Sequence, residues 1–144
     1  MTEEKDKIVF LVDDDPLYLK SLEIEFKEYT EFQIMTFPTG ELAIENLSIN
    51  PSIIVLDYHL DGLVKNALNG LHTLEIIKNT NPEIPVIMLS SQDKIEVAVN
   101  CMHHKAHEYI VKSETAFVRL LKTINSIFRN QKIEKSLNWY KSKQ

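Results

Sequence analysis

Apolar residues in this chain follow two patterns that alternate along the sequence, short unbroken runs and helically spaced positions. Unbroken apolar runs are typical of strands whose two faces are both covered. Proline is acceptable at the first residue of such a strand, as at Pro85. The predicted strands are residues 8–12, 32–37, 53–56, 85–89 and 109–111.

Between and after these runs, apolar residues recur at the spacing of an amphipathic helix. Asp15-Pro16 favours the start of the first helix, because aspartate is a good N-cap and proline suits the first helical position. Asp93 is predicted to open the fourth. The apolar positions of the five predicted helices lie within residues 17–26, 39–47, 71–77, 95–102 and 117–128.

Strand and helix therefore alternate five times, which predicts a parallel sheet covered by helices on both faces. We expect an α/β fold, a flavodoxin-like doubly wound five-stranded sheet in the strand order 2-1-3-4-5. Residues 1–130 are predicted to form this domain, and residues 131–144 a C-terminal helical extension or tail. Ile133, Leu137 and Tyr140 keep a helical spacing there. This favours either a partner or dimer contact, or a mobile tail.

Composition narrows the class of protein. The chain has 144 residues, 44% of them hydrophobic, and a formal net charge of −5, which argues against a direct nucleic-acid partner. Its single cysteine, Cys101, excludes an internal disulfide and fits a reducing compartment. The polar N-terminus is not a signal peptide, and no apolar run reaches membrane-spanning length. We therefore expect a cytoplasmic domain without membrane contact.

Polar residues that could carry chemistry follow the predicted strands. Asp13 and Asp14 follow the first strand, Asp57 the third, Ser90 the fourth and Lys112 the fifth. Ligands of open α/β sheets bind at this edge. Two carboxylates about 4 Å apart repel by about 4 kcal/mol at an effective dielectric near 20, so the acids need a cation. An all-oxygen site with room for water suits Mg²⁺.

A carboxylate beside Mg²⁺ and an ammonium group is suited to phosphoryl transfer, which needs positioning and charge stabilisation. In this hypothesis Asp57 attacks phosphorus in line. Lys112 and Mg²⁺ hold phosphoryl oxygens, and the Ser90 hydroxyl donates a hydrogen bond to another.

Four sequence motifs together resemble those of a known protein family. They are VDDDP at 12–16, LD at 56–57, LSS at 89–91 and YIVK at 109–112, and their order and spacing over residues 7–129 resemble the CheY-like receiver domain of bacterial response regulators. The resemblance implies that Asp13, Asp14, Asp57 and the backbone carbonyl of His59 bind Mg²⁺. It also implies that Asp57 accepts phosphate from a sensor histidine kinase or a histidine phosphotransfer protein.

The same resemblance implies a conformational response. Ser90 and the aromatic Tyr109 would rearrange on phosphorylation and change the surface formed by the fourth helix, fifth strand and fifth helix. That face would bind a downstream protein, and a homodimer is a further possibility. Such a domain would catalyse only its own phosphotransfer and dephosphorylation.

Three features depart from the family's pattern. Ser113 follows Lys112 where the family usually has a proline with a cis peptide bond, and Lys105-Ala106 replaces a small Gly-Ala pair. The stretch from His59 to Asn69 is about five residues longer than usual. We hypothesise that this longer loop alters phosphate lifetime or kinase choice.

Alternative interpretations fit parts of the pattern. A receiver fold could serve as an interaction module without phosphorylation. Asp13-Asp14-Asp15 also matches the Asp-x-Asp motif of haloacid dehalogenase phosphatases, although Pro16-Leu17 does not continue that motif. Asp13, Asp14 and Asp15 could be only a solvated N-terminal cap. Ser90 could be a helix cap, Lys112 an ordinary surface lysine and Tyr109 a core residue. The histidines at 103, 104 and 107 are interpreted as a solvated face rather than a metal site.

Overall fold

A computed structural model of the chain describes residues 2–60 and 68–144. Within those residues, five parallel strands form one sheet in the order β2-β1-β3-β4-β5, which confirms the predicted topology. The strands are β1 (Ile8–Val12), β2 (Gln33–Phe37), β3 (Ile53–Asp57), β4 (Val86–Ser90) and β5 (Glu108–Val111).

Helices follow each strand, and one short helix precedes the sheet. That first helix was not expected, so the five predicted helices are α2 to α6. The helices are α1 (Thr2–Lys5), α2 (Pro16–Tyr29), α3 (Gly40–Glu45), α4 (Gly70–Thr80), α5 (Ile95–His103) and α6 (Ala116–Ser142).

The first residue of α2 is determined by a capping side chain, whereas the first residue of α5 is not. Asp15 caps α2 by accepting hydrogen bonds from the backbone N–H groups of Leu17 and Tyr18 at 3.0 and 3.3 Å. The prediction that Asp93 opens the fourth helix is wrong, because α5 begins at Ile95 with Lys94 at its N-cap and no side-chain cap bond. The loop after β4 is thus longer than the capping rule suggested.

Other boundaries differ by one or two residues, as helix and strand ends commonly do. The fourth strand begins at Val86 instead of Pro85 and includes Ser90. Helix α3 ends at Glu45, and residues 47–49 form a 3₁₀ turn closed by Asn50 in the left-handed conformation. Helix α6 is continuous to Ser142. The division into a domain and an extension near residue 130 stays a prediction.

Two hydrophobic cores cover the two faces of the sheet. Strand β1 shows why, since alternate side chains of a strand point to opposite faces. Val9 and Leu11 pack with the inner sides of α2 and α6, whereas Phe10 and Val12 pack with residues of α3, α4 and α5. Because both faces are buried, the strands need continuous apolar runs. No helix in the described ranges is long and apolar enough to cross a membrane.

The structure shows the backbone conformation at two positions where the sequence departs from the family's pattern. The Lys112–Ser113 peptide bond is trans, since no cis peptide bond occurs among the described residues. Lys105, in the turn after α5, has a φ of 72°. This left-handed conformation is one that glycine adopts readily and a lysine adopts only at a cost.

Candidate functional site

The candidate site lies at the carboxyl edge of the sheet, where neighbouring strands end at the same level. Asp57 is the last residue of β3 and pairs with Leu89, next to Ser90 at the end of β4. Asp13 directly follows β1, and its backbone N–H donates to the Phe37 carbonyl at 3.1 Å. The parallel register therefore brings side chains that are far apart in sequence to one edge.

Three carboxylates meet there. One oxygen each of Asp13, Asp14 and Asp57 lies within 4.8 Å of the others. Asp13 and Asp57 are 2% and 3% exposed, so both are removed from water by the surrounding core. The backbone N–H of Asp15 donates to Asp13 Oδ1 at 2.9 Å, which fixes that carboxylate within its own turn.

Lys112 is the cation that faces this cluster. Its Nζ lies 2.8 Å from Asp13 Oδ2 and 3.4 Å from Asp57 Oδ1. The same ammonium lies over the ring of Tyr18, 4.4 Å from its centroid. The backbone N–H of Lys112 donates to the Ser90 carbonyl at 2.7 Å, so the main chain at the end of β5 is tied to β4.

The crowding of charged groups at this edge shifts the pKa values of Asp57 and Lys112. Burial, and next the charge of Asp13, raise the pKa of Asp57 to about 7, although Lys112 and the backbone N–H of His59 act in the opposite direction. Burial alone would lower the pKa of Lys112, but its contacts with Asp13 and Asp57 raise it overall. The lysine therefore stays charged, while the ionised form of Asp57 is costly.

The donor set fits a hard divalent cation. Three carboxylates against one ammonium leave a formal charge of −2 in a largely buried pocket, and all the donor atoms are oxygens. The backbone N–H of His59 donates to Asp57 Oδ1 at 3.3 Å, so the chain after Asp57 turns back over the carboxylate. Ser90, Tyr109 and His59 form no part of the carboxylate cluster itself.

Gln92 connects those three predicted residues in a second group. Its backbone N–H donates to Ser90 Oγ at 3.1 Å, and its carbonyl accepts a hydrogen bond from the Tyr109 hydroxyl. Its side-chain nitrogen lies 3.0 Å from His59 Nε2. Ser90 is fully buried, and its hydroxyl acts in this turn rather than capping α5. Sequence reasoning missed Gln92, since nothing distinguishes a lone polar loop residue.

Gly70 was also missed. A Cβ at this first residue of α4 would lie 2.3 Å from the Asp57 carbonyl oxygen and 2.6 Å from the Tyr58 Cα. The Gly70 N–H donates to the Tyr58 carbonyl at 3.0 Å. The helix thus begins directly against the backbone that carries Asp57. The Asn69-Gly70 pair is the only sequence signal, and it also fits an ordinary turn.

The remaining histidines and the long loop add little to the site. His104 pairs with Glu75 on α4 at 3.1 Å, and its other ring nitrogen lies 2.8 Å from the Asn100 carbonyl. Among the described residues, the one cluster suited to a metal is the Asp13, Asp14 and Asp57 group. The hypothesis about the 59–69 loop concerns residues 61–67, which lie outside the described residues.

Comparison with known families matches residues 9–125 of the chain to the response regulator receiver domain. Among curated proteins, the nitrogen assimilation regulatory protein NtrX of Azorhizobium caulinodans is 32% identical over 105 residues, covering 72% of this chain and 22% of its own. The luminescence regulatory protein LuxO of Vibrio campbellii is 32% identical over 92 residues, covering 63% and 19%. The chain thus spans about a fifth of the length of these relatives.

Solved structures share the fold. The signal receiver domain of a LuxO repressor protein from Vibrio parahaemolyticus superposes with a TM-score of 0.77 at 22% identity, covering 91% of this chain and 96% of its own. The Borrelia burgdorferi chain from a CheX-CheY-BeF3-Mg complex has a TM-score of 0.73 at 28% identity, covering 85% and 89%. The five-stranded sheet and its helices are therefore a known architecture.

Proposed function

Because this chain belongs to the response regulator receiver domain family, we propose that it is a phosphorylation-dependent signalling switch whose phosphoryl acceptor is Asp57. The observation that carries the proposal is the position of the Asp57 carboxylate, 3.4 Å from Lys112 and within 4.8 Å of Asp13 and Asp14 oxygens. A buried carboxylate beside a cation and a divalent-metal site is equipped to accept a phosphoryl group.

In the proposed step, an Asp57 carboxylate oxygen forms a bond to phosphorus as the bond from phosphorus to the donor's histidine nitrogen breaks. The displaced histidine keeps the electron pair of that bond and takes up a proton. Lys112 is already held at the site by Asp13, and it can pair with a phosphoryl oxygen without reorganisation. Mg²⁺ would be held by Asp13, Asp14, Asp57 and the His59 carbonyl, and it would neutralise charge on the transferred group.

The response to phosphorylation is proposed to run through Ser90 and Tyr109. A phosphoryl oxygen would compete for the Ser90 hydroxyl, which now accepts from Gln92. The Tyr109 hydroxyl bonds to the carbonyl of that same Gln92, so a shift of this turn would move Tyr109 and the face of α5, β5 and α6. We propose a histidine kinase or phosphotransfer protein as donor, and a downstream protein on that face.

Intact mass spectrometry after incubation with acetyl phosphate and Mg²⁺ tests the acceptor. We expect one phosphoryl adduct on the wild-type chain and none on Asp57→Asn. An adduct that persists on Asp57→Asn would move the acceptor elsewhere. If the wild-type chain gains no adduct from acetyl phosphate or from a phosphorylated histidine phosphotransfer domain, the non-phosphorylated interaction module is the better description.

A Mg²⁺ titration followed by the intrinsic fluorescence of the chain tests the metal site separately. Asp14→Ala is expected to weaken Mg²⁺ binding at least about tenfold, because one carboxylate of a three-carboxylate site is lost. Asp15→Ala is the matched control, since Asp15 caps α2 and belongs to no metal cluster. Equal affinities for wild type and Asp14→Ala would remove Asp14 from the site.

A further inference from the structure

The ammonium of Lys112 has two kinds of neighbour at the candidate site. Asp13 and Asp57 are charged, and their carboxylate oxygens lie 2.8 and 3.4 Å from Nζ. Tyr18 instead presents the face of its ring, whose centroid lies 4.4 Å from Nζ. An ammonium is attracted to such a ring face, and the attraction is stronger where water is largely excluded. The side chain of Lys112 is only 18% exposed, so this contact lies in such a setting.

Tyr18 is held in place by the same turn that carries Asp13. The backbone N–H of Tyr18 donates to Asp15 Oδ1 at 3.3 Å in the cap of α2, and the backbone N–H of Asp15 donates to Asp13 Oδ1 at 2.9 Å. The Tyr18 ring is half-buried and packs against the core on the α2 and α6 side of the sheet. One short segment, residues 13–18, therefore brings both a carboxylate and an aromatic ring to Lys112.

The phenol of Tyr18 stays protonated in this position. Burial raises the pKa of Tyr18, Lys112 acts in the opposite direction, and the charge of Asp13 raises the pKa again. The ring therefore attracts Lys112 through its face and not through a negative charge. A neutral group does not compete with the ammonium for Mg²⁺, and it does not repel an anionic phosphoryl group.

The two carboxylates, by contrast, change partners in the phosphoryl transfer proposed above. Mg²⁺ would take the charge of Asp13, and one oxygen of Asp57 would become part of an acyl phosphate. Both side chains would then attract Lys112 less strongly. The ring of Tyr18 changes neither its charge nor its partner in this step, so it can keep the ammonium close to the arriving phosphoryl oxygens.

We propose that Tyr18 is a positioning residue that holds the Lys112 ammonium beside Asp57 throughout phosphorylation, while Asp13 and Asp57 exchange this ammonium for Mg²⁺ and the phosphoryl group. This inference rests on the proposed function, because it gives Tyr18 a part in the same phosphoryl transfer. Tyr18 acts through Lys112 and not on phosphorus directly. Without the ring, the ammonium would be freer to turn towards water, and the transition state would lose a positioned cation.

The rate of phosphorylation by acetyl phosphate with saturating Mg²⁺, followed by intact mass, tests Tyr18 in the full chain. Tyr18→Leu keeps an apolar side chain but removes the ring, and we expect the rate constant to fall at least about fivefold. Tyr18→Phe keeps the ring face and should stay within about twofold of wild type. Tyr29→Leu is the matched control on the same helix, because the ring of Tyr29 contacts Phe117, and it should leave the rate unchanged.

A double-mutant cycle then shows whether Tyr18 acts through Lys112. Lys112→Met removes the ammonium at a similar side-chain length and should lower the rate more than Tyr18→Leu does. In the Lys112→Met background, adding Tyr18→Leu should change the rate by less than about twofold, because the group that Tyr18 positions is already gone. An equal fall in both backgrounds would assign Tyr18 a packing role and overturn the inference.

The proton NMR signals of the Lys112 Cε group give a second readout, which needs no variant. Protons over the face of an aromatic ring are shifted upfield. We expect this shift for Lys112 in the free chain and also with Mg²⁺ and beryllofluoride, a mimic of the phosphoryl group. Loss of the shift on binding overturns the inference, and so does wild-type reactivity of Tyr18→Leu. A wild-type chain that gains no phosphoryl adduct overturns the proposed function and this inference with it, so the two failures are distinguishable.

Discussion

The carboxyl edge of the sheet and residues 129–142 of α6, here called the α6 extension, both concentrate charge of one sign, but the two regions differ in how exposed those charges are. At the edge, Asp13 and Asp57 are almost fully buried, and backbone N–H groups and Lys112 hold their oxygens. On the extension, every lysine and arginine is exposed. One region fixes its charges at a cost in folding free energy, whereas the other leaves them in water.

That difference separates two kinds of function. Charges that are buried before any ligand arrives need no reorganisation when a cation or a phosphoryl group binds, which suits chemistry. Charges on an exposed helix keep their hydration and contribute little to folding, so they are available to steer an encounter with another surface. Substitutions in the two regions should therefore differ sharply in their effect on stability.

Gly70→Ala is expected to have the largest effect on stability, because the new side chain would clash with the backbone that carries Asp57. The new Cβ would overlap the Asp57 carbonyl oxygen and the Tyr58 main chain, which cannot move as a side chain can. We expect the free energy of unfolding in urea to fall by at least about 3 kcal/mol. The acceptor should also lose reactivity towards acetyl phosphate in whatever fraction remains folded.

Gly40→Ala is the matched comparison for this glycine. Its Cβ would meet the side chain of Thr73, 2.1 Å from Oγ1, rather than main chain. Adding Thr73→Ala should therefore recover part of the lost stability of Gly40→Ala. A Gly70→Ala chain within about 1 kcal/mol of wild type would show that α4 can shift away from β3 and that the edge of the sheet is not rigid at this contact.

How much of the fold and of the candidate site could be predicted from the sequence depends on the residue. It depends on whether the role of that residue is set by its neighbours along the chain or by residues that are close to it only in space. The strands were predictable because residues such as Val9, Phe10 and Leu11 form an unbroken apolar run that is diagnostic by itself. The strand-end rule predicted that Asp13, Asp57 and Lys112 would meet. The start of α5 was mispredicted because a capping residue is only one of several ways to begin a helix.

Gln92 and Gly70 could not be found by pattern. Gln92 matters because three separate segments converge on it, and Gly70 because two backbones approach closely. Neither convergence leaves a periodic or compositional trace in a single sequence. The α6 extension is intermediate, since its helical spacing was visible in the sequence but its continuity with the rest of α6 was not.

Asp57→Asn is expected to have the next largest effect, and it should stabilise the metal-free protein. In the folded state the pKa of Asp57 is raised to about 7 from its ordinary value of 3.8, so the folded state binds more protons than the unfolded state between those pH values. Stability contributed by the neutral acid is then lost as pH rises from about 4 to about 7. At pH 8 we expect Asp57→Asn to be about 1–3 kcal/mol more stable than wild type.

Urea unfolding of both chains at pH 5 and pH 8 without divalent cations measures this difference, which should shrink at the lower pH. Asp15→Asn is the control, because that residue is an exposed cap and asparagine caps helices equally well. Mg²⁺ should stabilise wild type more than Asp57→Asn. A wild-type chain that is more stable than Asp57→Asn at pH 8 without metal would contradict the view that the edge stores unfavourable charge.

Leu137→Ser is expected to have the smallest effect and tests the other side of the comparison. Leu137 is 54% exposed on the α6 extension, and it belongs to neither hydrophobic core. The substitution therefore removes little buried area, and we expect the free energy of unfolding to change by less than about 0.5 kcal/mol. Urea unfolding at two protein concentrations measures it without confusing folding with association. A loss above about 1 kcal/mol would show that the extension packs on the rest of the domain as part of the fold, and its exposed charges would then be structural rather than available to another surface.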